Sequence, residues 1–479
     1  MFLRHGCARV GRSASADVTG AHGEPGSVVS VSARTDRAAI SVKRFALPVV
    51  LAIQVAVVLV QRPNLGGDDP VRAGMVDQLS RGDWPDIHFS VIHPLVVVPL
   101  YRLAQGVGHE RWVVERSGLL LWIAWSVWMS TRLTRLRSLR VALLFQIFAF
   151  CSMLSVYLVG FNTEFFSALV VSAGLLAALT EPSVYGRACG WTLVVLGVAN
   201  VPAQIPGLVA VSVVLAIRRR SIAPIVASVA TIVISVGEAS YSVGHFALSK
   251  YSSSEGAISP LLPWGNVVGF NHPLIFGVIG ILFSLGRGLV FYIPAMWLAL
   301  RGLGDDLRDW ATCLAVFVLA LVPLYAKWWA WYGGVTFGPR FFLLGCVPGA
   351  FVLAEGFANL RSFGPARRAV LLAVTALSAW VAVSGVVFYL TPGSIARCFT
   401  DNYRDEPLCW YSAEYSSLLA PLWDHQHISG RGMIFAMAVA VMVVAATAGQ
   451  LKSVRGTWLS LRGSSPLRAA VDYVRRGAD

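Results

Sequence analysis

Residues 190–217 read GWTLVVLGVANVPAQIPGLVAVSVVLAI, and Arg218, Arg219 and Arg220 follow directly. One bilayer crossing takes about 20 apolar residues, so this run is too long for a single span. It is interrupted by Asn200, Pro202, Gln204 and Pro206. Proline removes a helical hydrogen bond and clashes with the preceding turn, so one helix ends there and another begins. The segment is expected to be a hairpin, with its tip on the outer side and its arginine-marked base inside.

The same pattern recurs along the whole chain. Of 479 residues, 56% are hydrophobic and 13% charged, and the mean hydropathy is +0.65. The apolar runs are continuous rather than alternating, which selects membrane helices over a barrel. The net charge of +14 does not indicate a nucleic-acid partner, because the basic residues cluster beside apolar runs, as in RLTRLRSLR (132–140) and RSFGPARR (361–368). Such clusters mark cytoplasmic ends.

The expected fold is therefore all-α, a polytopic bundle of about twelve spans with both termini in the cytoplasm. The first span is placed near 45–61, the second near 117–132, the third near 141–159 and the fourth near 165–180. The hairpin arms are followed by spans near 222–243, 286–302 and 310–326, a tenth ending near 357, and two more near 369–390 and 433–449. Residues 1–44 are expected to be a disordered cytoplasmic tail, 45–450 the membrane domain and 451–479 a basic cytoplasmic tail. In the first outer loop, DPVRAGMVDQLSRG and HPLVVVPLYRLAQGVG have helical apolar spacing but are too short or too polar to cross, so they suit interfacial helices. No internal repeat is evident.

This topology gathers the unusual polar residues on the outer side: Asp68, Asp69, His88, His93, Glu164, Lys250, Lys327, Trp331, Tyr332 and Arg340. In NLGGDDPVRAG (64–74), the Asp pair before Pro70 is either a helix cap or a source of the general base for an acceptor hydroxyl. Glu164, in GFNTEFF, is a helix-end charge or a second acceptor-site carboxylate. The carboxylates are also candidate ligands of a divalent cation, although no close-spaced metal-ligand set appears.

Lys327 and Arg340 lie within KWWAWYGGVTFGPRFF (327–342), on the side where topology does not call for cations. They either snorkel beside an aromatic belt or clamp a phosphate, with Gly333, Gly334 and Gly338 letting the backbone approach it and Trp331 and Tyr332 offering faces to a sugar. Arg287 interrupts an apolar stretch, so it needs a partner, either a ligand phosphate or a carboxylate such as Glu238. Of the seven cysteines, Cys398 and Cys409 share one outer loop and are a candidate disulfide.

The order of these features resembles the GT-C superfamily of integral membrane glycosyltransferases, which includes protein mannosyltransferase-like and aminoarabinose transferase-like enzymes. The resemblance is carried by the outer Asp pair, HPLVVVPLYRLAQGVG, ERSGLLLWIAW, FNTEFF, ILFSLGRGLVFYIPAMWLAL and WYGGVTFGPRFFLLGCVP. It implies a multi-pass bacterial plasma-membrane enzyme with its site facing the periplasm or exterior. There it moves a mannose- or arabinose-type sugar from a polyprenyl-phosphate donor, with inversion, to a glycan, lipid or protein acceptor. Asp68 or Asp69 would be the base and Glu164 a second acidic residue; by their chemistry Arg340 and Lys327 are the donor-phosphate candidates, and Arg287, His88, His93, Trp331 and Tyr332 are further candidate substrate contacts. Two departures stand out: two aspartates precede Pro70 where one Asp and a Glu are usual, and Gln204 stands where a lysine is expected in the hairpin. A transporter or flippase, and a non-catalytic envelope assembly protein, remain as alternatives; a transporter places its polar site near the midplane rather than at one face.

Overall fold

The structure, a computed structural model, describes residues 30–63, 65, 68–86, 89–243, 269–301, 305–334, 336–389, 405–422 and 428–463. Residues 1–46 and 47–479 form separate units. The first helix is α1 (Ser30–Val60), whose apolar part, Phe45–Val60, matches the expected first span. Three shorter helices follow, α2 (Asp69–Arg81), α3 (Ile92–Gln105) and α4 (Glu110–Glu115). Next come α5 (Ser117–Leu136), α6 (Leu139–Phe150), α7 (Thr163–Thr180), α8 (Val184–Ala199), α9 (Ile205–Arg219) and α10 (Ala223–Val243). The remainder are α11 (Leu274–Phe283), α12 (Leu289–Tyr292), α13 (Asp306–Lys327), α14 (Cys346–Ala358), α15 (Pro365–Val383), α16 (Glu406–Tyr411) and α17 (Gly430–Gly463). No strand occurs among the described residues.

The chain is a multi-pass helical membrane protein. Among the described residues seven helices are long and apolar enough to cross a bilayer, or eight if one bent pair counts as a span. Shorter apolar helices cover Phe45–Val60, Val184–Ala199 and Leu274–Phe283. This count does not confirm the expected total of about twelve spans, and two of the expected spans are not single straight helices. The stretch 141–159 is not one helix: α6 bends by 68° into the 3-10 turn Met153–Val159. Ser152 makes the break, bonding back to the Ala149 carbonyl and accepting from the Leu154 amide at 3.3 Å.

Nor is the expected span 286–302 continuous. The apolar helix here is α11, which lies earlier, in what reads as loop; Gly286 and Gly288 then separate it from the single turn of α12. A 3-10 segment, Pro294–Arg301, completes the passage. Other expectations hold: α2 and α3 occupy the two short amphipathic segments, and residues 190–217 form α8 and α9 with a break at Pro202–Gln204.

Side-chain hydrogen bonds lock the bundle where apolar packing alone leaves rotation undefined. The Gln54 side chain on α1 donates to the Gln146 carbonyl on α6 and accepts from Trp122 Nε1 on α5. Ser172 on α7 takes Trp125 Nε1 on its hydroxyl and Trp310 Nε1 on its carbonyl, both at 3.0 Å. By contrast, α10 and α17 expose apolar residues such as Val229, Val233, Val441 and Val444, as helices facing hydrocarbon do.

The arginine-rich segments expected on the cytoplasmic side converge on acidic residues from other helices. Arg132 meets Glu181 at 2.8 Å, Arg137 meets Glu355 at 3.0 Å and pairs with Asp305, and Arg219 meets Asp306 and Asp309 at 2.7 and 3.0 Å. These residues lie at the ends of α5, α7, α9 and α14 and the start of α13. The opposite ends of α7 and of the segment leading into α14 carry a different set of charges.

Candidate active site

Asp68 and Asp69 begin α2, with Pro70 in its first turn, where a missing amide costs nothing. Asp68 occupies the N-cap position, yet its side chain makes no capping bond. It turns instead to two guanidinium groups: Oδ2 lies 3.5 Å from Arg72 Nη2 and 3.6 Å from Arg340 Nη2. About a third of the Asp68 side chain (36%) stays exposed. Asp69 is buried; its Oδ2 accepts from the Phe161 amide at 3.1 Å, and its Oδ1 lies 3.9 Å from Arg72 Nη1. The helix-cap reading therefore fails for Asp68.

The Phe161 amide is presented by the turn that follows the bent third segment. There Asn162 caps α7, its side chain accepting from the Phe165 amide at 2.8 Å, so the helix start does not depend on Glu164 for a cap. The buried Glu164 accepts from Thr163 Oγ1 at 3.1 Å and points Oε1 at Arg340 Nε, 3.6 Å away. Arg340 opens the 3-10 turn Arg340–Gly345 that leads into α14, and its guanidinium lies 5.1 Å above the Phe341 ring.

Three carboxyls and two guanidinium groups thus meet from three distant parts of the chain. Arg72 completes the cluster and escaped the sequence reading, although its spacing of four from Asp68 on an expected helix signals the pair. It is buried, packs 4.5 Å from the Phe89 ring centre, and leaves Nε and Nη1 without hydrogen-bond partners. Unpaired donors of a buried cation are costly, which makes Arg72 an unusual group to hold here without further partners.

With one more carboxyl than guanidinium, ionising the whole cluster leaves an excess negative charge. Burial pushes the Asp69 carboxyl up to about 6, against the pull of Arg72 and of the Phe161 amide. A carboxyl raised from its ordinary 3.8 favours the fold most in its protonated form, so its contribution is complete below about pH 4 and is lost as pH rises through about 6. The loss is on the order of 3 kcal/mol for a shift of about two units. Asp69→Asn keeps an oxygen for the Phe161 amide and does not titrate. The stability of the variant relative to wild type, read from thermal midpoints, should increase between pH 4 and 6 and level off above; a difference independent of pH would contradict the assignment.

His93 lies behind the cluster rather than in it. Its ring is stacked between Phe161 and Phe166 at 4.2 and 4.6 Å, and burial, helped by Arg72, lowers its pKa to about 3. It is a neutral packing group here, and its backbone amide donates to Asn200 Oδ1 at 3.1 Å. Asn200 in turn donates to the Thr163 carbonyl and Ser167 Oγ, tying the hairpin break to the start of α7. In the sequence Asn200 stands out only as a helix interruption.

Other expected contacts lie elsewhere. Lys327 ends α13 with an exposed side chain and joins none of the cluster's ion pairs. Trp331 and Tyr332 are buried against α16, with Tyr332 stacked on Trp410 at 4.1 Å and Trp331 5.3 Å from the same ring. Arg287 does not pair with Glu238. Its guanidinium donates to the carbonyls of Gly334 and Gly338, each at 3.0 Å, and to that of Thr336. It thereby holds the loop in which Gly333, Gly334 and Gly338 all adopt positive φ, the backbone freedom expected of them. Gly338 has no room for a side chain: a Cβ would fall 2.6 Å from Met153 and Tyr292 atoms. Arg287 is thus a positioning group for Arg340 two residues further on.

Glu238 accepts from Ser90 Oγ at 3.0 Å and from the Val91 amide at the start of α3. His88, Lys250 and Cys398 lie outside the described residues, while Cys409 is disulfide-bonded. Among the described residues no group of three or more His, Cys, Asp or Glu is arranged to hold a metal ion.

No family model matches this chain, and no curated protein does. Solved structures similar to it include two of ArnT from Cupriavidus metallidurans. The apo form is 17% identical, with a TM-score of 0.48 over 85% of this chain and 76% of that one. The form bound to undecaprenyl phosphate is 16% identical, with a TM-score of 0.46 over 84% of this chain and 77% of that one.

Proposed function

We propose that the chain is a membrane glycosyltransferase, moving a sugar of mannose or arabinose type from a polyprenyl-phosphate donor to a glycan, lipid or protein acceptor of the cell envelope. One observation carries this reading: a partly exposed carboxylate, Asp68, sits between two arginines that have donors to spare, at the ends of helices rather than in the middle of the bundle. A lipid-linked donor keeps its phosphate at the membrane interface, so a two-arginine seat there matches its chemistry. The motif resemblance agrees.

In the reaction, Asp68 takes the proton of an acceptor hydroxyl as its oxygen attacks the anomeric carbon. The bond from that carbon to the phosphate oxygen breaks, and polyprenyl phosphate leaves with the electron pair. Arg340 and Arg72 offset the charge growing on the leaving phosphate. Glu164 holds Arg340, and Asp69 fixes the start of α2 against the turn at Phe161. The site opens on the side away from the cytoplasmic arginine clusters, facing the periplasm or exterior.

The test is transfer by the purified protein, supplied with polyprenyl-phosphate mannose or arabinose and an envelope-glycan acceptor. A product with inverted anomeric configuration is expected. Movement of the intact donor across a vesicle membrane without transfer would replace the enzyme reading with the transporter.

A further inference from the structure

The other end of the helices holds a feature that sugar transfer does not use. A cavity of about 420 Å³ opens between α13, α14, α15 and the 3-10 segment Pro294–Arg301. Its wall is apolar, formed by Leu298, Phe351, Val352 and neighbouring aliphatic groups. Its polar residues are Arg308, Arg367, Asn359 and Glu355. The cavity is therefore amphiphilic, and its charged end belongs to the ion-pair network around Arg137.

The two arginines retain binding capacity. The Arg367 guanidinium stacks 3.8 Å from the centre of the Phe363 ring, an arrangement that leaves the edges of the planar fork open. Arg308 approaches Glu355 only at 3.8 Å, whereas Glu355 is already held by Arg137 at 3.0 Å. Neither guanidinium donates a hydrogen bond within the described residues. Arg137 also pairs with Asp305, so three arginines, Arg137, Arg308 and Arg367, face the two carboxylates Glu355 and Asp305, and the cavity mouth keeps a positive excess. Arg367 also sits in the first turn of α15, where free amides add to that field.

We propose that this cavity binds one anionic phospholipid from the leaflet on the arginine-rich side, with its phosphate between Arg308 and Arg367 and an acyl chain along Leu298 and Val352. Charge complementarity and the joined polar and apolar ends favour this occupant. Basic pockets between membrane helices on the cytoplasmic side suit such headgroups. The bound lipid fills the space where α13, α14 and α15 diverge and fixes the end of α14 remote from Arg340. This site is independent of the catalytic reading.

The experiment is native mass spectrometry of the purified full-length protein in uncharged detergent, supplied with phosphatidylglycerol or phosphatidylcholine of the same acyl chains. Wild type should retain one phosphatidylglycerol and discriminate against phosphatidylcholine. Combined Arg308→Gln and Arg367→Gln should weaken phosphatidylglycerol retention by about tenfold or more. Both side chains are exposed, and Arg137 continues to hold Glu355, so the fold is retained. Val352→Trp offers a second route, blocking the chain while keeping both arginines, and should lower retention as well. Equal retention of the two lipids, or phosphatidylglycerol retention unchanged in both variants, would overturn the proposal. Glycerophosphate bound as tightly as the lipid would overturn it too, showing a soluble-anion site.

Discussion

Replacing Asp68 with asparagine should lower sugar transfer by roughly 10²–10⁴-fold, the usual range for loss of a positioned general base. Asparagine has nearly the shape of aspartate but cannot take the acceptor's proton. The fold should survive, because Asp68 is partly exposed and its partners keep other carboxylates: Arg340 retains Glu164, and Arg72 retains Asp69. Donor affinity should hold or improve, since a neutral side chain no longer competes with the donor phosphate for the two arginines. Asp69→Asn is the matched comparison. That carboxyl is buried and already bonded to the Phe161 amide, so its loss should change the pH dependence of stability and reduce transfer far less. Equal losses in the two variants would remove the distinction drawn between them.

Arg340→Ala should raise the donor KM and lower kcat/KM for the donor by about 10²–10³-fold, as expected when a charged group facing the leaving oxygen is removed. The same change strands Glu164, which is buried beside Arg340, and a buried charge without its partner costs about 3–5 kcal/mol. Stability and catalysis can be separated. Adding Glu164→Gln to Arg340→Ala should recover most of the thermal midpoint, because no charge is then left behind, while donor use stays poor. Recovery of donor use along with stability would mean that Arg340 acts only by holding Glu164.

Much of the fold was legible from hydropathy and proline. The helix break within 190–217 and the short helices α2 and α3 are local consequences of proline and apolar spacing, and the arginine clusters read as inside markers meet Glu181, Asp305 with Glu355, and Asp306 with Asp309 in separate groups of ion pairs. The bend at Ser152 and the broken passage from α11 to Arg301 were not legible. There a serine hydroxyl and close backbone contacts replace regular helix bonds inside segments that are apolar throughout. Hydropathy measures whether a stretch can lie in hydrocarbon, not whether it is straight.

The site divides in the same way. Bringing Asp68, Asp69, Glu164 and Arg340 to one side followed from topology, but their partners did not. Arg72 stood only four residues from Asp68, where helical spacing made it readable. An arginine in an apolar stretch calls for an anion, but Arg287 uses the backbone carbonyls of the glycine-rich loop, and every residue offers a carbonyl, so sequence does not single out which ones. Lys327 and Tyr332 lie close to Arg340 in sequence, yet the turns at Gly333 and Gly334 send them to different surroundings.

We propose Arg72 and Arg340 as the seat of a lipid-linked phosphate. This seat is tested most directly by titrating purified protein with polyprenyl phosphate, free of sugar, and following binding by native mass spectrometry. Wild type and Asp68→Asn should bind one molecule saturably, and Arg72→Gln with Arg340→Gln in a Glu164→Gln background should lose that binding while remaining folded. Undiminished binding by the arginine variant, or none by folded wild type, would contradict the account.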